Sequence, residues 1–264
     1  MGSVSVWKEG ILRNISQYMS IFIDNFIKRL ILKASRYDIF HNQVNLLTCR
    51  LWKREIRTLP GGAMCIHLRF DYKKATQVLN FFATKAGKKI NKMRAIKLIY
   101  FADRYHFRKY GRPITNDEYF AMDYGPVGSG VKDIAGMTEF LGNTEQKYAS
   151  GFLETNPADR FELKSINPVD EKVFSKTDLQ ALTFAWEKFG KYNHFQLAKI
   201  SHKYPEWKKH ELALKSHPRV RMNYEDFFDD LGGELNQCYT LDKDDKQDRL
   251  NFIRETEEIN SLWN

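Results

Sequence analysis

Asp103, Arg104, Arg108 and Arg112 fall within ten residues of one another, and Asp117 and Glu118 follow shortly after. Carboxylates and guanidinium groups at that density have two chemistries open to them. They can form a polar recognition surface, or two carboxylates can divide general acid and base work. The competing reading is architectural: arginines near the C-terminus of a helix complement its dipole, and Asp103 pairs with a neighbouring arginine to fix the corner. Arg108 and Arg112 are four apart, which puts both on one side of a helix exit. Arginine and tyrosine are favoured interface anchors, because a planar fork or a rigid ring makes many contacts at small entropic cost. Arg104, Arg108, Arg112, Asp117, Tyr119 and Tyr124 are therefore the candidate partner-binding residues. Asp103, deeper in the apolar run, is expected to hold an arginine in place.

Other constellations fall short of a chemistry. His194, His202 and His210 recur every eight residues, with His106 far upstream, but Pro205 interrupts any shared helix and no metal-ligand spacing surrounds them. The run Gly125-Pro126-Val127-Gly128-Ser129-Gly130 lacks the Gly-Lys-Ser/Thr ending and the GxGxxG order of a phosphate loop. A turn that reverses the chain and opens a helix explains its glycines. Ser129 has no evident base partner, so no nucleophilic arrangement stands out. The reading is of a protein that is not an enzyme and has no metal or cofactor. Cys49, Cys65 and Cys238 are odd in number and far apart, which favours a reducing cytoplasm over a disulfide framework.

The elements that must position the charged cluster begin with a helix over 91–110. It has no Gly or Pro, Asn91 is a plausible N-cap, and apolar residues surround most of its circumference, Leu98, Tyr100 and Phe101 among them. Gly111 offers a left-handed cap and Pro113 forbids continuation. A short aromatic strand follows over 119–124, and Gly125-Pro126 turns it into another helix over 131–141. Upstream, 71–86 reads as an amphipathic helix capped by Asp71. Downstream, 148–155 and 160–166 read as a β-hairpin. Helices follow over 175–189 and from 194 to 202, then a short acidic helix over 223–231 and a charged tail over 242–264. The fold class is α+β and mainly helical: a helical core with a short strand and a β-hairpin, followed by C-terminal helices.

Three segments of this chain, Leu98-Ile99-Tyr100-Phe101-Ala102-Asp103-Arg104, Arg108-Lys109-Tyr110-Gly111-Arg112-Pro113-Ile114-Thr115 and Tyr124-Gly125-Pro126-Val127, resemble in order and spacing the Panacea domain, the family of SocA-like antitoxins and phage-associated GepA-like proteins. Leu98, Tyr100, Phe101, Asp103, Gly111, Pro113, Gly125 and Pro126 carry the motif. The resemblance implies an antitoxin that binds and neutralises a cognate toxin protein encoded next door, with a protease or chaperone as a further partner if it acts as an adaptor. A second reading is a winged-helix-like regulator that binds the operator DNA of a phage or mobile-element operon. Against it, the helix expected over 131–141 has one basic residue, Lys132.

Net charge is +9, but residues 1–63 hold ten Lys/Arg against four Asp/Glu, leaving 32 basic and 29 acidic side chains in the remainder. Charge alone thus gives the main domain little claim on nucleic acid. The expected organisation is an N-terminal extension over 1–63, a Panacea domain over 64–210 and a helical tail over 211–264. The extension reads as translated upstream sequence ahead of a start at Met64, because Gly61-Gly62 can be encoded by a ribosome-binding-site-like GGAGG. An amphipathic surface helix is the other reading. Arg13, Asp24, Lys28 and Arg29 interrupt its apolar stretch, so no membrane span is expected.

Overall fold

The computed structural model describes residues 68–231 and 241–262; the expectations for 1–63 lie outside them. Helix α1 (Tyr72–Lys85) starts at Asp71, whose carboxylate accepts from the Lys74 N–H at 3.0 Å. A turn through Gly87 and Lys88, both at positive φ, leads to strand β1 (Lys89–Asn91) and straight into α2 (Lys92–Tyr110). Asn91 caps α2 through Arg94 N–H, and Gly111 ends it at φ 73°. Only a residue without a Cβ adopts that conformation at no cost. Leu98, Ile99, Tyr100, Phe101, Ala102 and Phe107 of α2 are all buried, so the helix is enclosed on nearly every side, as its sequence foretells.

Two small antiparallel sheets flank it. β2 (Tyr119–Ala121) lies between β3 (Val127–Gly128) and β6 (Val220–Arg221). β5 (Glu162–Ser165) lies between β1 and β4 (Leu153–Thr155). The remaining helices are α3 (Ser129–Gly136), α4 (Asn143–Ser150), α5 (Lys176–Phe189), α6 (His194–Ser201), α7 (Pro205–Lys208) and α8 (Lys243–Leu262). α5 is capped by Ser175 and packs along α2, where Phe101 stacks on Phe189 with ring centroids 4.1 Å apart and Tyr105 stacks on Phe184 at 4.0 Å. The result is α+β and mainly helical. Every described residue belongs to one unit that spans 65–264.

Four details depart from the sequence reading. The helix expected over 131–141 ends at Gly136, because the chain turns through Met137 at φ 49°. The first part of the expected hairpin, from Tyr148, is the end of α4: the Glu145 carboxylate caps Gly142 N–H and starts a helix there. Tyr148 keeps its place in that helix by accepting from Gln77 and packing edge-on against Tyr72. The expected helix over 223–231 is a short 3₁₀ turn, Tyr224–Phe228. β1 and β6 are too short to leave a periodic signal, and both form by pairing with distant strands.

Candidate functional site

The residues expected to meet a partner are mostly inside the protein. Arg108 is 2 % exposed and donates to the backbone carbonyls of Phe227 and Asp229 and to the Asp230 carboxylate. Arg104 is buried too; its Nε donates to Glu206 at 2.6 Å, its guanidinium lies over the Tyr204 ring, and Tyr100 donates to the same Glu206 oxygen. Burial pulls the Arg104 pKa down, but Glu206, together with Tyr100 and Tyr204, more than reverses that and favours the charged guanidinium. Arg112 is half-exposed and pairs with Asp178 at 3.0 Å. Asp117 and Tyr119 are buried. Of the six, Tyr124 alone stands well exposed, at 61 %. The picture of one exposed arginine surface is corrected: the acids that draw Arg104 and Arg108 inward come from 206–230, about a hundred residues downstream.

The two aspartates build the corner instead. Asp103 was expected to hold an arginine. It accepts from Ile114 N–H at 2.8 Å, from Thr115 N–H and hydroxyl, and from the Tyr119 hydroxyl at 2.8 Å. Burial pushes its carboxyl pKa up, and these donors work against that. Asp117 accepts from Gly130 and Val131 N–H at the start of α3, the ready-made anion site at a helix N-terminus. Burial still dominates and raises its pKa to about 7. Any Cβ at Gly128 would lie 2.5 Å from the Asp117 carboxylate, which explains that glycine.

The Gly125-Pro126 corner rests on a buried cation that sequence reasoning missed. Lys97 is 0 % exposed, and its Nζ donates to the Pro126 carbonyl at 2.6 Å. Burial pulls its pKa down to about 7. Gly125 sits at φ 93°, and a Cβ there would lie 2.3 Å from Ser201 Oγ and 3.3 Å from the His202 ring. Beside it, Trp207 donates to Met122 O at 3.0 Å and stacks on His202 at 3.8 Å. The corner is thereby bolted to the end of α6 and to α7. A second missed centre is Asp178, which accepts from Lys74, Arg112 and Ser175 N–H and faces His106 at 3.1 Å. Burial pushes its carboxyl up, but His106, Lys74 and the backbone donor outweigh it and hold it well below the usual range. The signal for Asp178 was its place three after Ser175, a capping box. Lys97 left none, since one lysine on an apolar helix reads as a solvated gap.

What these bolts present outward is a face of α6. Phe195, Lys199 and His202 are spaced four and three apart, so they share one stripe, and His202 abuts the corner that carries Tyr124. Phe195 is 62 % exposed, and Lys199 and Lys203 are exposed beside it. Two uncovered aromatics, Tyr124 at the corner and Phe195 on the stripe with Lys199, are the best-placed candidate contacts.

In comparisons with curated proteins and with solved structures, none matches this chain. One family model does, the one described as antitoxin SocA-like, Panacea domain. The match runs from Ile96 in α2 to Lys208 at the end of α7, and so takes in the buried lysine, both corners and the exposed stripe of α6. Residues 96–208 of this chain are thus similar to the SocA-like Panacea domain, the domain of an antitoxin-like family.

Proposed function

We propose that the protein is an antitoxin that neutralises a cognate toxin, encoded beside it, by direct binding through the face formed by Tyr124 and the Phe195–Lys199–His202 stripe. The observation that carries this is a match to an antitoxin-like family in a domain whose exposed aromatics sit on a rigid corner. Aromatic anchors fixed before binding lose little entropy on contact, and surrounding charges steer the encounter. The lysines around them favour an acidic partner surface. Delivery of the toxin to a protease is a finer version of the same reading, and a cytoplasmic location goes with it. The domain limits we propose are a Panacea core that starts near Met64, with residues 211–231 completing it.

Co-expression with the neighbouring gene product tests this. Wild-type protein should rescue growth, and Tyr124→Asp or Phe195→Asp should abolish rescue at unchanged protein level and melting temperature. Full rescue by both variants would place the interface elsewhere.

One observation supports operator DNA as a second reading. Residues 188–221 hold nine Lys/Arg and two acids, of which Glu206 is buried. Phosphate binding by this strip would fall steeply with salt. A gel shift on the upstream operator at two salt concentrations separates the readings, and absence of a shift at low salt removes DNA from the list.

A further inference from the structure

At the other end of α2, about 20 Å along the helix from Lys97 at 1.5 Å per residue, α8 crosses the Gly111 cap. Its inward side is Lys246, Arg249, Leu250, Ile253 and Arg254, the three- and four-residue spacing of one face. Ile253 is 1 % exposed and Leu250 packs against the core. The Phe252 ring and the Arg249 stem lie 3.2 and 3.4 Å from where a Gly111 Cβ would stand. Lys246 pairs with Asp229 and Arg254 with Glu225, each at 2.6 Å. The seat is therefore a groove with an apolar floor, where Leu250 and Ile253 meet the core, and an acidic rim of Asp229 and Glu225. The outward side of α8, with Asp244, Asp248, Asn251 and Glu255, faces solvent.

The hold is light. Among the described side chains of the helix, Ile253 alone is fully buried, and both ion pairs are partly exposed, where such pairs contribute least and salt screens them. α2, by contrast, is enclosed along most of its length. We propose that this groove is a docking site for a basic amphipathic helix of a partner protein, that α8 fills it in the free protein, and that the partner helix displaces α8. The occupant is specified by complementarity: lysine or arginine one turn before and one turn after the first of two branched apolar residues three apart, matched to Asp229 and Glu225. This site is separate from the α6 face, so it stands or falls without it.

The probe is a fluorescent peptide of residues 241–264, titrated onto the full chain. Ile253→Asp frees the chain's own α8, so it should bind the peptide at least tenfold more tightly than wild type does. Asp229→Lys with Glu225→Lys should abolish that gain, and a peptide with Lys246, Arg249 and Arg254 changed to Glu should not bind. Hydrogen exchange on the unaltered chain needs no variant: α8 amides should exchange at least 100-fold sooner than α2 amides, and sooner still in high salt. Exchange of α8 and α2 together would overturn the proposal, as would failure of the peptide to bind a folded Ile253→Asp chain. So would size-exclusion evidence of a dimer joined through α8, since the occupant would then be a second copy.

Discussion

Lys97→Met should make the protein more stable at neutral pH and less sensitive to pH. Lys97 is fully buried and donates to the Pro126 carbonyl; among the described residues no carboxylate pairs with it. Its ammonium ionises at about 7 in the fold, against the 10.5 of an unperturbed lysine. A base with a lowered folded pKa is protonated more in the unfolded chain, so stability rises with pH between those two values and is flat below the lower one. At pH 7 the deficit is about 4 kcal/mol and at pH 9 about 2 kcal/mol, from roughly 1.4 kcal/mol per tenfold. Wild type should thus gain about 2 kcal/mol across that interval. Methionine fills similar volume without charge, but it leaves the Pro126 carbonyl unpaired, at a cost of about 1–3 kcal/mol. The variant should be more stable than wild type by about 1–3 kcal/mol at pH 7, and within about 1 kcal/mol of it, either way, at pH 9. Urea denaturation of both proteins measures it, and the difference between them cancels other groups. Asp117, raised to about 7, weakens the fold as pH rises from 3.8 toward 7; it is half-titrated where the interval opens, but it acts alike in both proteins. The buried hydroxyls of Tyr100, Tyr119 and Tyr224 ionise above it. A gap that stays constant within about 0.5 kcal/mol from pH 7 to 9 would refute the reasoning, and would mean that Lys97 keeps its charge through the fold.

Phe101→Ala should cost about 3–5 kcal/mol in the same assay, since the ring is buried and stacked on Phe189. Gly125→Val should cost at least about 2 kcal/mol and lower the melting temperature, because it pays for both a positive φ and a Cβ driven into Ser201. Arg108→Glu should fail to fold rather than selectively lose a partner, as it sets an acid against Asp230 and strands two carbonyls; a wild-type melt would show that Arg108 is solvated. Asp103→Ala, by removing the acceptor for four donors of the corner, should cost upwards of about 3 kcal/mol by thermal melt.

Much of this fold is legible because the signals are local. Asp71, Asn91, Ser175 and Gly111 each act on the next turn of their own chain, and each stands where its sequence context places it. The enclosure of α2 is written in its own apolar residues. The candidate site was harder, because the fate of a long polar side chain depends on what arrives from elsewhere. Arg104 and Arg108 read as surface anchors until Glu206 and Asp230 are known to reach them. Phe195, with a lysine four residues on, looks in sequence like any core aromatic of a short helix. Its exposure is decided by which side of α6 the Gly125 corner leaves uncovered.

The same dependence makes a prediction about where the working domain ends. The family match stops at 208, and the sequence suggests a boundary near 210. Yet Met222, Tyr224, Phe227 and Phe228 are buried, with Tyr224, Phe227 and Phe228 packed around Phe107. β6 completes the sheet beside the Gly125 corner, and Asp229 and Asp230 hold the two inner arginines. A chain ending at 210 gives up burial of four large side chains, at about 1.5–3 kcal/mol each, and removes the Phe227 and Asp229 carbonyls and the Asp230 carboxylate from Arg108, and the Asp229 carbonyl from Arg104. That exceeds the lower part of the 5–15 kcal/mol by which domains are stable. A chain ending at 241 loses α8 and little else of the core. The first should therefore melt without cooperativity or precipitate, while the second should keep a cooperative transition within about 10 °C of the full chain, read by circular dichroism. A sharp melt from the chain ending at 210 would show that residues 211–231 are an accessory, and that the inner arginines find other partners.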